Sequence, residues 1–336
     1  MKSCMHLDWL AIQYVGSIRD RYPFTVEKLP YSARQWKELY NVYRYGELWG
    51  HISTQSTLPT IPGDFYILKL ENKYLYDPDL FDMIRDWEIQ ENTRFHGFSR
   101  VDVCLDFQEF DNGMMPWELI RDFAGGKIDC LSKAGGEVRR EASASDQYSY
   151  MSLGSKRSDV RVYLYNKSKE MREVKFKSWI QETDIAAGLD PERDIWRLEF
   201  SLTGEGFHWA DAETGQDMSL TMRDLENDGY FSLLMNGLIT KYFGFIKHSS
   251  DKNRYRHERI PLIKDRFFKI KRVYAVEQED SNRADRIFIK KAMHEAQTSK
   301  QLRPEDRYHV VFWLYQWAVE RGLDGYIHKL KELAQL

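Results

Sequence analysis

The chain has 336 residues, of which 42% are apolar, 30% charged and 14% aromatic, and its net charge is −3. That balance suits a folded protein with an aromatic-rich interior and excludes a disordered chain or a uniformly basic coat for nucleic acid. No run approaches the roughly 18 apolar residues of a membrane span, and Asp8 and Gln13 interrupt the stretch where a secretory leader needs apolar continuity, so a cytoplasmic protein with no membrane partner is expected.

LDWLAIQYV (7–15) is β-rich, SARQWKELYNVY (32–43) is helix-like and DFYILKL (64–70) reads as a strand. Asp77 to Gln90 places Pro and acidic residues ahead of an apolar repeat at helical spacing. FSRVDVCLDF (98–107) returns to strand alternation, completing an early β-α-β order. Pro116 to Gly126 is a second helix, started by Pro and stopped by glycines. Two β-prone runs around GSKRSD predict a hairpin, and DIWRLEFSLTG (194–204) predicts another strand. After about residue 223 helix dominates, in Phe231 to Phe243, Asn282 to Ser299, a segment from Pro304 to Gly322, and Leu323 to Leu333. The sum is an α+β chain with a large domain, 1–240, and a basic, helical C-terminal region, 241–336.

The polar faces of three predicted strands agree. In SRVDVCLDF, Val101, Val103 and Leu105 share one face and leave Asp102, Cys104 and Asp106 on the other. In IWRLEFSL, Arg197 and Glu199 oppose Trp196, Leu198 and Phe200. In VRVYLYNKSKE, Arg161, Tyr163 and Tyr165 oppose Val160, Val162 and Leu164. If the strands are neighbours, one sheet face gathers acids, arginines and tyrosines. Clustered carboxylates repel, so such a face needs a cation or a network of arginine pairs. Oxygen ligands select a hard ion, Mg²⁺ or Mn²⁺. None of the nine histidines is paired at metal-ligand spacing, and the three cysteines, Cys4, Cys104 and Cys130, read as reduced bystanders. Beside a divalent ion a tyrosine can attack a phosphodiester and hold the cut end covalently. From Lys241 to Arg272, basic residues interleave with Tyr242, Phe243, Tyr255, Phe267 and Phe268, a pattern that fits phosphate neutralisation with base stacking and equally fits a solvated helical face.

LDWLAI, FSRVDVCLDF, LGSKRSDVRVYLYNKSKE and WRLEFSL, in that order, resemble the replication initiation factor family of rolling-circle plasmid and filamentous-phage initiators and related relaxases. The likeness spans roughly residues 5–275, and the GSKRSDVRVYLYNK stretch is its most specific part. The resemblance implies a mainly antiparallel sheet of the rolling-circle nuclease type with flanking helices. It also implies that Tyr165, directly before Asn166 and Lys167, nicks one origin strand to leave a 5′-phosphotyrosine and a 3′-hydroxyl primer. Carried over in the same way, Asp102 and Glu199 become metal ligands, with Asp106 and Asp8 behind them, and Lys156, Arg157, Arg161, Lys167 and Arg197 hold the phosphate backbone. Lys252, Arg254 and Arg256 extend the DNA-binding set into the basic segment. The implied partners are a double-stranded origin with its single-stranded nick site, a host helicase and polymerase, and a second copy of the chain as a homodimer. No Walker-type phosphate loop is present, which is why the helicase must come from the host. A conjugative relaxase and a noncatalytic DNA-binding regulator are the alternatives.

Overall fold

The computed structural model describes residues 1–58, 61–131, 136–140, 148–155, 157–251, 253, 256–264, 269–272, 288–289, 291–296, 303–320, 326–327, 330–331 and 333. In chain order its strands begin with β1 (Ser3–Val15), β2 (Phe24–Lys28), β3 (Trp36–Arg44), β4 (Glu47–Ser56), β5 (Phe65–Leu70), β6 (Arg94–Phe107) and β7 (Ile128–Cys130). They continue with β8 (Gly136–Arg140), β9 (Tyr148–Leu153), β10 (Val160–Asn166), β11 (Trp196–Thr203), β12 (Trp209–Asp211), β13 (Phe245–Lys247) and β14 (Ile270–Arg272). The helices that pack on them include α1 (Leu80–Glu91), α2 (Pro116–Ala124), α3 (Lys167–Glu173), α4 (Ser178–Ala186), α5 (Met222–Glu226) and α6 (Asp228–Tyr242).

Ten strands form one sheet in the order β2-β3-β4-β5-β1-β6-β11-β10-β9-β8, and each neighbouring pair is antiparallel. Period-two alternation sends Leu10, Ile12 and Tyr14 of β1, Val101, Val103 and Leu105 of β6, and Leu198, Phe200 and Leu202 of β11 into a single apolar core. Helices close that core. Leu80, Met83, Ile84 and Trp87 of α1, spaced three and four apart, join it with Leu119 and Ile120 of α2 and Leu234, Met235 and Leu238 of α6. The fold is therefore α+β around a large antiparallel sheet.

The early β-α-β order gives way to five consecutive strands before α1. The segment read as helix-like, 32–43, supplies β3, whose Tyr40 lies opposite Ile52 and whose Val42 lies opposite Gly50 of β4. The cause is the turn that follows it. Tyr45 and Gly46 both adopt positive φ (52° and 83°) between paired Arg44 and Glu47, the two-residue hairpin geometry that matches strand twist. Once that hairpin forms, the aromatic and β-branched residues of 36–44 face a ladder, and local helix spacing is overridden.

Two compact units divide after Arg272, not after residue 240. Residues 241–272 stay with the first unit because β13 pairs with β7, β14 pairs with β12, and Phe243, Phe245, Leu262 and Ile270 enter its core. Phe243 of the basic segment is thus a core residue, while Lys252, Arg254, Tyr255, Phe267 and Phe268 lie outside the described residues. The second unit, Val273–Leu336, has its own core of Ile289, Met293 and Ala296 against Val311, Leu314, Ala318 and Leu330. In its helix Pro304–Glu320, Val311, Leu314 and Ala318 fill that core, Tyr315 and Trp317 pack against it half-buried, and Tyr308 and Trp313 are exposed.

Candidate active site

The face of the sheet opposite α1, α2 and α6 is polar, and strand register assembles it. Across β1 and β6, Leu7 pairs with Val103 and Trp9 with Asp102, so Asp8 is the extra residue of a β-bulge. Leu7 and Leu10 both enter the core, which leaves Asp8 and Trp9 together on the polar side. Cys104 lies opposite His6 on one flank and Glu199 on the other, and Asp106 lies opposite Arg197. On β10, Tyr163 is opposite Glu199 and Tyr165 opposite Arg197. Four adjacent strands, β1, β6, β11 and β10, thus bring His6, Asp8, Asp102, Cys104, Asp106, Arg197, Glu199, Tyr163 and Tyr165 onto one surface. The turn Asn72–Tyr76 and α4 pack beside β1 at this surface, joined by a hydrogen bond from Trp179 Nε1 to Asn72 Oδ1 (3.1 Å).

One part of this surface satisfies itself. Arg197 and Asp106, both 0% exposed, form a two-pronged pair, Nε to Oδ1 at 2.7 Å and Nη2 to Oδ2 at 2.6 Å. The same guanidinium donates to Asp8 Oδ1 (2.5 Å), and its Nη2 lies 3.2 Å from the Tyr76 hydroxyl and 2.8 Å from His6 Nε2. Burial opposes charge on Asp106 and Asp8, yet the Arg197 guanidinium wins and holds both carboxyls below their usual range. Burial pushes His6 down to about 4, so its ring is neutral and accepts from the guanidinium. Asp184 of α4, also fully buried, sits against Asp106, and burial together with that negative neighbour pushes its carboxyl up to about 8.

The adjoining part is not satisfied. Glu199, 8% exposed, accepts one hydrogen bond, from the Tyr165 hydroxyl at 2.9 Å. Among the described residues no cation is paired with it. Burial, then the charges of Asp102 and Asp8, push its carboxyl up to about 8. Burial and the Glu199 charge also raise the Tyr165 phenol well above its ordinary value, and burial raises the Cys104 thiol likewise. Asp8, Cys104 and Glu199 each present one ligand atom within 4.8 Å of the others. A buried carboxylate lacking a counter-charge beside two more donors fits a divalent cation, which would remove the repulsion that raises Glu199.

The remaining predicted residues divide by position. Asp102 is close to the cluster but is gripped by Arg100, Nε to Oδ1 at 2.9 Å and Nη2 to Oδ2 at 2.6 Å. Arg100 also stacks on Trp9, which carries Lys69 as well, at 4.4 and 3.9 Å from the ring centroid. Asp106 and Arg197 hold each other, so Asp106 has no oxygen to spare for a metal and Arg197 cannot reach a phosphate. Lys167, 1% exposed, is ion-paired with Glu170 at 2.5 Å and is likewise no surface contact. Its neighbour Asn166 ends β10 by capping α3, its Oδ1 accepting from the Lys169 amide at 2.8 Å, which explains why the strand breaks into Asn-Lys-Ser-Lys. Arg161 lies over the Tyr163 ring at 4.9 Å, Arg157 is exposed in the β9–β10 turn, and Arg256 is exposed 3.8 Å from Asp251. Lys156, Lys252 and Arg254 fall outside the described residues. Sequence reasoning missed His6, Tyr76 and Asp184 and passed over Cys104 as a donor. Arg100 and Cys104 both carried a usable signal, since they alternate in phase with Asp102 and Asp106.

No family model matches the chain, and no curated protein matches it. Among solved structures it is similar to a rolling circle replication initiator protein from Geobacillus stearothermophilus, at 12% sequence identity and a TM-score of 0.42, over 77% of this chain and 94% of that one. A likeness at that level assigns no residue a role.

Proposed function

We propose that the chain is a site-specific DNA nicking and joining enzyme that initiates rolling-circle replication of a plasmid or filamentous phage. The reading is carried by the Tyr165 hydroxyl, 2.9 Å from Glu199 and beside the Asp8 and Cys104 donors. A phenol held against a buried carboxylate can lose its proton to that carboxylate as it attacks, and Oε2 of Glu199 faces the phenol while its other oxygen is left for a cation. The new bond joins Tyr165 oxygen to phosphorus and the bond from phosphorus to the 3′ oxygen breaks. The 5′ phosphate stays on the tyrosine, and the 3′ oxygen takes up a proton to become the primer hydroxyl. Asp8 and Glu199 would hold a divalent cation, Mg²⁺ or Mn²⁺ if oxygen ligands alone decide, which when bound supplies stabilisation of charge on the phosphate. Arg157 and Arg161, at the turn and start of the strand bearing Tyr165, would guide the DNA backbone to it.

The test is to incubate the full chain and its Tyr165→Phe and Tyr163→Phe variants with supercoiled origin plasmid and Mn²⁺, scoring nicked circles and the covalent protein–DNA adduct. Tyr165→Phe is expected to lower both on the order of a thousandfold or more, while Tyr163→Phe retains them. Loss confined to Tyr163→Phe moves the nucleophile to that residue. No adduct with the unaltered chain leaves a DNA-binding regulator in place of an enzyme.

A further inference from the structure

Three donors on three adjacent strands narrow the identity of the ion. Asp102 is committed to Arg100 and Asp106 to Arg197, so the group whose ligand atoms all lie within 4.8 Å retains two carboxylates, Asp8 and Glu199, and one sulfur, Cys104. On Asp8 the hydrogen bonds fall on Oδ1, and on Glu199 the Tyr165 bond falls on Oε2, so each keeps a second oxygen free of described partners. Cys104 is fully buried, yet it stands on the polar face, between His6 and Glu199 in register, and among the described residues its thiol has no hydrogen-bond partner. A buried sulfur with polar groups on both flanks and none engaged is poorly explained by packing, because β6 turns its packing residues, Val103 and Leu105, the other way.

We infer that Cys104 is a metal ligand, making this a mixed oxygen–sulfur site that takes a thiophilic divalent ion, Zn²⁺ ahead of Mg²⁺. The inference rests on the proposal that Asp8 and Glu199 bind a cation. Mg²⁺ takes one or two carboxylates with water and phosphate oxygens and gains nothing from a thiolate, so a sulfur that ligates selects against it. Zn²⁺ accepts sulfur and carboxylate together, and three protein ligands leave a fourth position for a phosphate oxygen. Binding breaks the Cys104 S–H bond, forms a metal–sulfur bond and passes the proton to solvent.

The experiment titrates the metal-free full chain with Cd²⁺, Zn²⁺, Mn²⁺ and Mg²⁺. Its readouts are calorimetry, the ultraviolet thiolate-to-cadmium charge-transfer band, and proton release in buffers of different ionisation enthalpy. The expected result is Zn²⁺ binding tighter than Mg²⁺ by about two orders of magnitude or more, with a cadmium band that Cys104→Ser abolishes and Cys4→Ser leaves. Glu199→Gln should weaken Zn²⁺ while keeping the band, which retains a test if Cys104→Ser folds poorly by circular dichroism. Mn²⁺ and Mg²⁺ binding that is lost in Glu199→Gln, with no thiolate band, would overturn the sulfur ligand and leave the cation reading intact. Binding of none of the four ions ends both.

Discussion

Two neighbouring patches of one sheet face are built from the same kinds of residue and come to opposite ends. Around Arg197, two acids, a neutral imidazole and a phenol surround one guanidinium, which holds both acids in their charged form inside the protein. A pleat away on the same strand, Asp102 and Asp8 have guanidinium partners but Glu199 has none among the described residues, and its carboxyl is driven to hold a proton near neutral pH. Residue type alone does not separate a structural ion network from a binding site. What separates them is whether the counter-charge belongs to the chain. Asp106 is closed to ligands because Arg197 engages both its oxygens, Asp8 keeps one oxygen beyond its Arg197 bond, and Glu199 is open to a cation because no side chain among the described residues supplies one.

The comparison can be broken in order of expected effect. Arg197→Ala leaves Asp106 and Asp8 buried without compensation and should cost about 3–5 kcal/mol in denaturant unfolding; a cost under ~1 kcal/mol would mean that the patch is not held by that guanidinium. Glu199→Gln should act in the other direction. The Glu199 carboxyl moves from 4.5 to about 8 on folding, so the folded state keeps a proton that the unfolded state releases. In chelator, stability therefore falls as pH rises from about 4.5 to about 8 and then levels off. The glutamine removes that fall and should leave the variant more stable than the parent at pH 9 by an amount on the order of 1–3 kcal/mol. Asp184, also pushed up to about 8, adds to the same fall, and His6, held down to about 4, opposes it between about 4 and 6.5, so the reading is the change in slope between parent and variant, and an unchanged slope would remove Glu199 from it. The smallest effect is expected from Asp102→Asn, about 1 kcal/mol or less, because its partner Arg100 keeps contact with solvent and with Trp9. A larger loss would place Asp102 in the open patch with Glu199.

Much of this face is legible in the sequence, and the legible part has one cause. Period-two alternation is local, so Asp102, Cys104, Asp106, Arg197, Glu199, Tyr163 and Tyr165 can be put on their faces from short windows of residues. Partner choice is not local. Asp106 meets Arg197 across 91 positions and Asp8 meets it across 189, and no window spans those distances. The bulge that turns Asp8 toward the site changes one register step and leaves no mark in composition. His6 joins as a single ring whose role is to accept from a guanidinium, so a search for paired metal-ligand histidines passes over it. Segment 32–43 fails for a related reason, since the Tyr45–Gly46 turn that commits it to a hairpin lies just beyond its end.

The position of β1 ties the donor cluster to the middle of the sheet. It lies between β5 and β6, so it is the seam along which the meander β2–β5 joins the half-sheet that carries the tyrosine. His6 and Asp8 sit on one lip of that seam, and Asp102, Cys104 and Asp106 on the other. Leu10, Ile12 and Tyr14 of β1 share one core with Val101, Val103 and Leu105 of β6, so parting that ladder opens the core as it disperses the donors, and the amide protection of β1 becomes a gauge of whether the donors are assembled.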